Sequence, residues 1–175
     1  TLAGALAAAK LGIPLAHVEA GLRSFDMAMP EEINRRLTDH VSTLLFCPTP
    51  EAVSNLRREG VRRGVHRVGD VMLDAVLQNA ARARRLAKLP DGLRDRGYYL
   101  ATVHRQENVD DPARLASILE ALSRLPGPTL VPAHPRLRKR LESSGLRPGG
   151  GVRLLPPAPY LEMLRLTGGA RVLLT

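Results

Sequence analysis

The chain has 175 residues, 44% hydrophobic and 25% charged, which is enough to build a globular core in one domain or two small ones. Its single cysteine, Cys47, excludes an internal disulfide, argues against a cysteine-based metal site and suits a reducing, cytoplasmic setting. A net charge of +9 raises nucleic-acid binding, but aromatics are only 3% and the basic residues are spread over many segments, so stacking platforms and a basic tract are both lacking and no nucleic-acid partner is expected.

In chain order, Leu2 to Leu11 reads as a helix. The apolar run from Leu2 to Ala16 is broken by Lys10, Gly12 and Pro14 and is too short to span a bilayer, so no membrane association is expected. Ile13 to Val18 reads as a strand that stops at Glu19. A loop follows, and a helix opens on Pro30 and runs from Glu31 to Val41. Thr43 to Phe46 reads as a strand. Thr49-Pro50-Glu51 then supplies an N-cap, a first turn and a dipole partner for a helix ending at Gly60. Val65 to Val68 is a strand broken by Gly69. Met72, Val76, Ala80, Ala83 and Leu86 give one long helix from Val71 to about Ala87, punctuated by Pro90-Asp91-Gly92.

Beyond that point come a strand at Tyr98 to Val103, a loop at His104 to Asp110, and a helix from Asp111-Pro112 to about Leu125. The strand Thr129 to Pro132 ends near His134. A basic helix at Arg136 to Leu141 is stopped by Gly145 and Pro148-Gly149-Gly150-Gly151, and Val152 to Leu155, Pro159 to Thr167 and Arg171 to Leu174 complete a strand, helix, strand series. Short apolar runs alternating with amphipathic ones predict an α/β fold with parallel sheets. The expected division is 1–69 for the C-terminal part of a first Rossmann-like lobe, 70–92 for a linking helix, and 93–175 for the N-terminal part of a second lobe.

Ligands of open α/β sheets sit beyond the carboxyl ends of the strands. Glu19 lies at such an end, and Glu31 and Glu32 fall in the first turn of the next helix, near the same crevice. Two carboxylates converging on one cleft can transfer protons if their environments push their pKa values apart. The alternative is structural: carboxylates complement a helix N-terminus, and Glu31–Arg35 and Glu32–Arg36 are i,i+4 pairs. That reading is preferred for Glu32. It does not serve Glu19, because a carboxylate closing an apolar strand is costly unless something uses it. Arg23 lies near the crevice, either to bind a ligand or to pair with Asp26. His104 and His134 each follow a strand of the second lobe, a place where histidines are more often structural. Yet an imidazole, a guanidinium and a carboxylate on one short loop, His104, Arg105 and Glu107, suit recognition of a diphosphate.

The segment His17-Val18-Glu19-Ala20-Gly21-Leu22-Arg23-Ser24, followed by Pro30-Glu31-Glu32-Ile33-Asn34-Arg35-Arg36-Leu37-Thr38-Asp39-His40, resembles the bacterial non-hydrolysing UDP-N-acetylglucosamine 2-epimerases. Val68-Gly69-Asp70-Val71-Met72-Leu73-Asp74, Thr102-Val103-His104-Arg105-Gln106-Glu107-Asn108 and His134-Pro135 resemble later motifs of that family, in the family's order. The resemblance covers essentially the whole chain. It implies two Rossmann-like lobes facing a cleft, a GT-B-like architecture, both incomplete here. The family pattern has a glycine-rich turn and a catalytic aspartate before the position of Thr1, and a UDP-binding Asp-Ser-Gly-Gly after that of Thr175, so residues 1–175 alone are expected to be inactive.

The chemistry the resemblance implies is inversion at the sugar's C2 without cofactor or metal. UDP is eliminated to give a 2-acetamidoglucal and then adds back, interconverting UDP-N-acetylglucosamine and UDP-N-acetylmannosamine for cell-surface polysaccharide synthesis. By the resemblance, Glu19 and Glu31 share the proton transfers with the aspartate, which of them is the base being open. His104 assists the departing nucleotide, with Arg105 and Arg23 as UDP contacts. Arg105, His134 and, as an alternative role, Glu31 would form a site for a second, activating UDP-N-acetylglucosamine. Gln106 and Pro135-Arg136 depart from the pattern, and the second departure bears on the activator site. A homodimer is expected. The alternatives are a hydrolysing epimerase or related nucleotide-sugar glycosyltransferase and, outside enzymes, a basic binding module.

Overall fold

Every strand of this chain is only three or four residues long, and every one pairs in parallel with its neighbours. The computed structural model describes residues 1–175, which divide into two compact units, Thr1–Ala75 and Val76–Thr175. The first holds α1 (Leu2–Lys10), β1 (Ala16–Val18), α2 (Pro30–Val41), β2 (Leu44–Cys47), α3 (Pro50–Arg58) and β3 (Val65–Arg67). Its sheet has the order β1-β2-β3, with Val18 opposite Phe46 and Leu45 opposite Val65. β1 begins at Ala16, not Ile13: Gly12 takes a φ of +68° and Pro14 has no backbone N–H to give to a ladder. Thr49 caps α3 as expected, its hydroxyl accepting from the Ala52 N–H at 3.1 Å. Ala20, Leu45, Cys47, Ala52 and Leu56 form the core between the sheet and α3.

The long helix α4 (Val71–Leu86) is continuous, and the division between the units falls within it, after Ala75. The second unit continues with β4 (Tyr99–Ala101), α5 (Gln106–Asp110), α6 (Pro112–Ser123), β5 (Thr129–Pro132), α7 (Pro135–Ser144), β6 (Val152–Leu155), α8 (Tyr160–Gly169) and β7 (Val172–Leu174). The loop expected at His104 to Asp110 is mostly the short helix α5. The basic helix also runs further than expected, to Ser144, where Gly145 closes it at a φ of +67°.

The sheet order is β6-β5-β4-β7. All three residues of β4 are buried, because helices cover both faces of this central strand and the usual alternation is lost. Leu115, Leu119, Val131 and Leu137 pack on one side, and Tyr98, Leu100, Leu130 and Leu166 on the other. The chain steps outward from β4 to β5 and β6, then returns to place β7 on the opposite side of β4. A direction change of this kind opens a crevice at the carboxyl ends of the two strands. A cavity of about 260 Å³ lies there, lined by Ala101, Thr102, Val103, Asn108, Leu174 and Thr175 among others. No helix is long and apolar enough to cross a membrane.

Candidate active site

The end of β1 is conformationally strained. Glu19 has a φ of +67° and Gly21 one of +79°. A non-glycine residue in the left-handed region costs about 1–3 kcal/mol and persists only where its surroundings enforce it. Here they do. The Ala20 N–H donates to the Phe46 carbonyl at 3.1 Å, and the Asn55 side-chain amide donates to the Gly21 carbonyl at 3.0 Å. A Cβ on Gly21 would come within 2.3 Å of the Ala52 carbonyl oxygen, so only glycine lets the chain pass α3. The Glu19 carboxylate is exposed and makes no hydrogen bond or ion pair, which leaves it free for a ligand.

Beneath this turn lies Asp39 of α2, with no solvent exposure. One carboxylate oxygen accepts from His17 Nδ1 at 2.6 Å; the other accepts from the Gly21 N–H at 3.1 Å and from Arg23 Nη1 at 2.7 Å. Burial alone would raise the pKa of this acid, but the hydrogen bonds from His17 and Arg23 more than offset it and hold the group below the usual carboxylate range. An ionised Asp39 only accepts, so the His17 proton sits on Nδ1.

Arg23 does not make the pair with Asp26 that was the structural alternative for it. Its side chain is fully buried and forks onto Glu59, Nε to one oxygen at 2.8 Å and Nη2 to the other at 2.7 Å, while Nη1 also donates to the Leu22 carbonyl. That arrangement leaves little of the guanidinium for a nucleotide, so it acts as a buried tie between α2 and α3. Asp26 instead accepts from the Ala28 N–H within its own turn. Glu59, held below the usual range chiefly by its hydrogen bonds from Arg23, also receives Arg36 at 3.2 Å and His40 at 3.5 Å.

The two glutamates of the first turn of α2 behave differently. Glu31 is exposed and unpartnered and does not engage Arg35. Glu32 is completely buried; one oxygen accepts from the Ser24 N–H at 2.9 Å, the Ser24 hydroxyl at 3.0 Å and Arg35 Nη1 at 2.9 Å, and the other oxygen has no partner. The expected Glu32–Arg36 pair is thus replaced by Glu32–Arg35. The structural reading of Glu32 holds, but by another mechanism: it staples the loop after β1 to α2. Asp39, Glu59 and the burial of Glu32 went unread in the sequence. The available signal was the placement of Glu32, Arg35 and Asp39 on one face of α2 at helical spacing.

In the second unit, His104 and Arg105 lie between β4 and α5, and both are exposed. Arg105 makes one loose, exposed ion pair with Glu107 at 3.8 Å, which is worth little and leaves its guanidinium available. His134 is also exposed and caps α7, its Nδ1 accepting from the Arg136 N–H at 3.4 Å. Arg136, where the family pattern departs, forks onto Asp110 at the end of α5, with Nε at 3.1 Å, and Arg140 joins the same carboxylate. These residues all follow the carboxyl ends of β4 and β5, the ligand side of such a sheet. No cluster of three or more His, Cys, Asp or Glu side chains could hold a metal ion.

Two units built on parallel sheets, with free polar side chains at their strand ends, place the chain among the doubly wound α/β proteins. Within that class, the chain belongs to the UDP-N-acetylglucosamine 2-epimerase family, whose pattern matches residues 1–175. It is 51% identical to the UDP-2,3-diacetamido-2,3-dideoxy-D-glucuronate 2-epimerase of Pseudomonas aeruginosa, over 100% of this chain and 50% of that protein. The UDP-N-acetylglucosamine 2-epimerase of Methanocaldococcus jannaschii is 42% identical, over 99% of this chain and 51% of its own length. A crystal structure of the M. jannaschii enzyme in complex with UDP-GlcNAc and UDP superposes with a TM-score of 0.85, covering 98% of this chain and 51% of that one. The UDP-GlcNAc-bound enzyme of Neisseria meningitidis superposes with a TM-score of 0.80 at 29% identity, covering 99% and 50%. These neighbours have the GT-B fold, and the chain spans about half the length of the curated relatives it matches.

Proposed function

We propose that the full-length protein is a non-hydrolysing nucleotide-sugar 2-epimerase that interconverts UDP-N-acetylglucosamine and UDP-N-acetylmannosamine. The observation that carries this reading is Glu19: a free carboxylate held in a strained conformation at the end of a parallel strand, in a chain matched throughout by the epimerase family. Strain of this kind, maintained by a buried network, fits a residue kept for chemistry. The C2 proton is weakly acidic and needs a positioned base. Its removal sends the C–H electron pair into a C1=C2 double bond as the C1–O bond to UDP breaks. UDP then re-adds at C1, and a proton is delivered to the opposite face of C2. Two proton carriers are therefore needed, and Glu19 and Glu31 supply exposed carboxylates for that work together with a group from the rest of the protein. His104 and Arg105 suit the diphosphate charge that develops on leaving.

In the full-length enzyme, Glu19→Gln and Glu31→Gln are each expected to lower turnover by about 10²–10⁴-fold, as for loss of a general acid or base. UDP binding should be nearly unchanged. Exchange of the C2 proton with deuterated water, followed by mass spectrometry, reads the step directly, and parent-like exchange in both variants would sink the reading. Product analysis separates the hydrolysing alternative, which releases free N-acetylmannosamine. Arg105 and His134 with Glu31 are read as contacts of an activating second nucleotide sugar; loss of sigmoidal substrate dependence in His134→Ala would support that, and unchanged kinetics would remove it. The enzyme is read as a cytoplasmic homodimer, to be checked by light scattering.

The 51% identity to a diacetamido-glucuronate epimerase favours a second substrate reading. Such a sugar carries an added carboxylate, which a chain of net charge +9 would attract. Side-by-side turnover of the two UDP-sugars decides between them.

A further inference from the structure

Resting on the reading of Glu19 as a proton carrier, we infer that Asp39 is a positioning residue that holds the Glu19 carboxylate in place. The geometry is specific. Asp39 bonds the side chain of His17 with one oxygen and the backbone N–H of Gly21 with the other, so it grips the chain two residues before and two residues after Glu19. Between these grips the backbone turns through positive φ at Glu19 and Gly21. Neither grip touches Glu19, whose carboxylate remains exposed.

Asp39 is itself fixed from behind. It is fully buried, and Arg23, pinned in turn by Glu59, donates to the same oxygen that receives the Gly21 N–H. A carboxylate with three donors on two oxygens keeps one orientation, and an ordinary backbone at position 19 would break its bond to Gly21. A group displaced by about 1 Å can lose roughly 10²-fold in rate. Asp39 thus controls the rate through the place of Glu19, without meeting substrate.

The test is a double-mutant cycle in the full-length enzyme, read by C2 deuterium exchange and by turnover. Asp39→Asn is expected to lower turnover about 10–100-fold with little change in KM. In a Glu19→Gln background the same substitution should cost almost nothing, because the group it positions is already disabled. A loss of equal size in both backgrounds, or no loss from Asp39→Asn at all, would overturn the inference. If Asp39→Asn does not fold, His17→Leu and His17→Gln take its place. Leu removes the donor to Asp39, whereas Gln keeps one, so Gln should recover most of the turnover that Leu loses, again only where Glu19 is present. Equal losses for Leu and Gln would count against the grip. Failure of the catalytic reading is separable: Glu19→Gln alone would then turn over like the parent, whatever Asp39 does.

Discussion

Glu19 is a residue whose local preference and native conformation disagree. Its left-handed backbone costs about 1–3 kcal/mol, and the hydrogen bonds on either side hold it there. Glycine would adopt the same φ without strain, although it would gain about 0.4–1 kcal/mol of chain entropy in the unfolded state. Glu19→Gly is therefore expected to stabilise the fold by about 1 kcal/mol while removing the carboxylate proposed to carry protons. A rise in melting temperature with loss of turnover would support a position held for chemistry; a fall would mean that the strain has been misjudged. The sequence showed that a carboxylate closes an apolar strand with Gly21 two residues on, and that was enough to single Glu19 out. The positive φ was not legible, because it depends on Asp39 and Asn55, which come from helices later in the chain. Arg23 shows the same limit. Asp26 is its neighbour in sequence, but Glu59 and Asp39 are its partners in space.

α2 inverts the rule by which helices are read. Its buried positions include Glu32, Thr38 and Asp39, while Ile33 and Leu37 are 40% and 46% exposed. The start signal at Pro30 and the carboxylates after it therefore located the helix but not the face that turns inward. Elsewhere the punctuation was sufficient. Thr49-Pro50 and Asp111-Pro112 cap α3 and α6, and Gly145 closes α7. α5 was missed because five residues are too few to show a helical period.

The hydrogen-bonded acids of the first unit, two of them buried in α2, give that unit a pH signature. Asp39, Glu32 and Glu59 all titrate below their ordinary values: burial works against Asp39 and Glu32, and hydrogen bonds from His17, Ser24 and the arginines outweigh it. A carboxylate depressed in the folded state adds stability that is fully present above its unfolded pKa of about 4 and disappears as pH falls through the folded value. Melting temperature should therefore be flat from neutral pH down to about 5 and drop below about 4. Asp39→Asn should lower it at neutral pH and shallow the acid slope. A variant with the parent's slope would show that the network does not set the acid limit.

At the scale of the whole molecule, the parallel pairing within both sheets follows from the alternation of short apolar and long amphipathic runs, which is why the fold class was readable, whereas the order β6-β5-β4-β7 was not. The meaning of the charge was less so. Lys and Arg number 26 against 17 acids, a balance that in another chain would signal nucleic acid. The structure shows much of that charge already committed. Arg23 is buried on Asp39 and Glu59, Arg35 meets Glu32, Arg136 and Arg140 share Asp110, and Arg165 reaches Asp95 at 2.6 Å. These pairs lie on α2, α7, α8 and the loop after β1, so they are spread along the chain, and aromatics, at 3%, are too few to form a ladder that stacks bases. Phosphate contacts made by such scattered charges give only non-specific association, roughly 10⁻⁴–10⁻⁶ M at physiological salt, and each contact releases a counterion. The protein should therefore shift duplex DNA only in that range, without preference among sequences, and the shift should vanish as salt rises from 50 to 200 mM. A sequence-dependent complex at nanomolar concentration that survives the higher salt would make nucleic acid a real partner and would count against the proposed nucleotide-sugar reading of the charge.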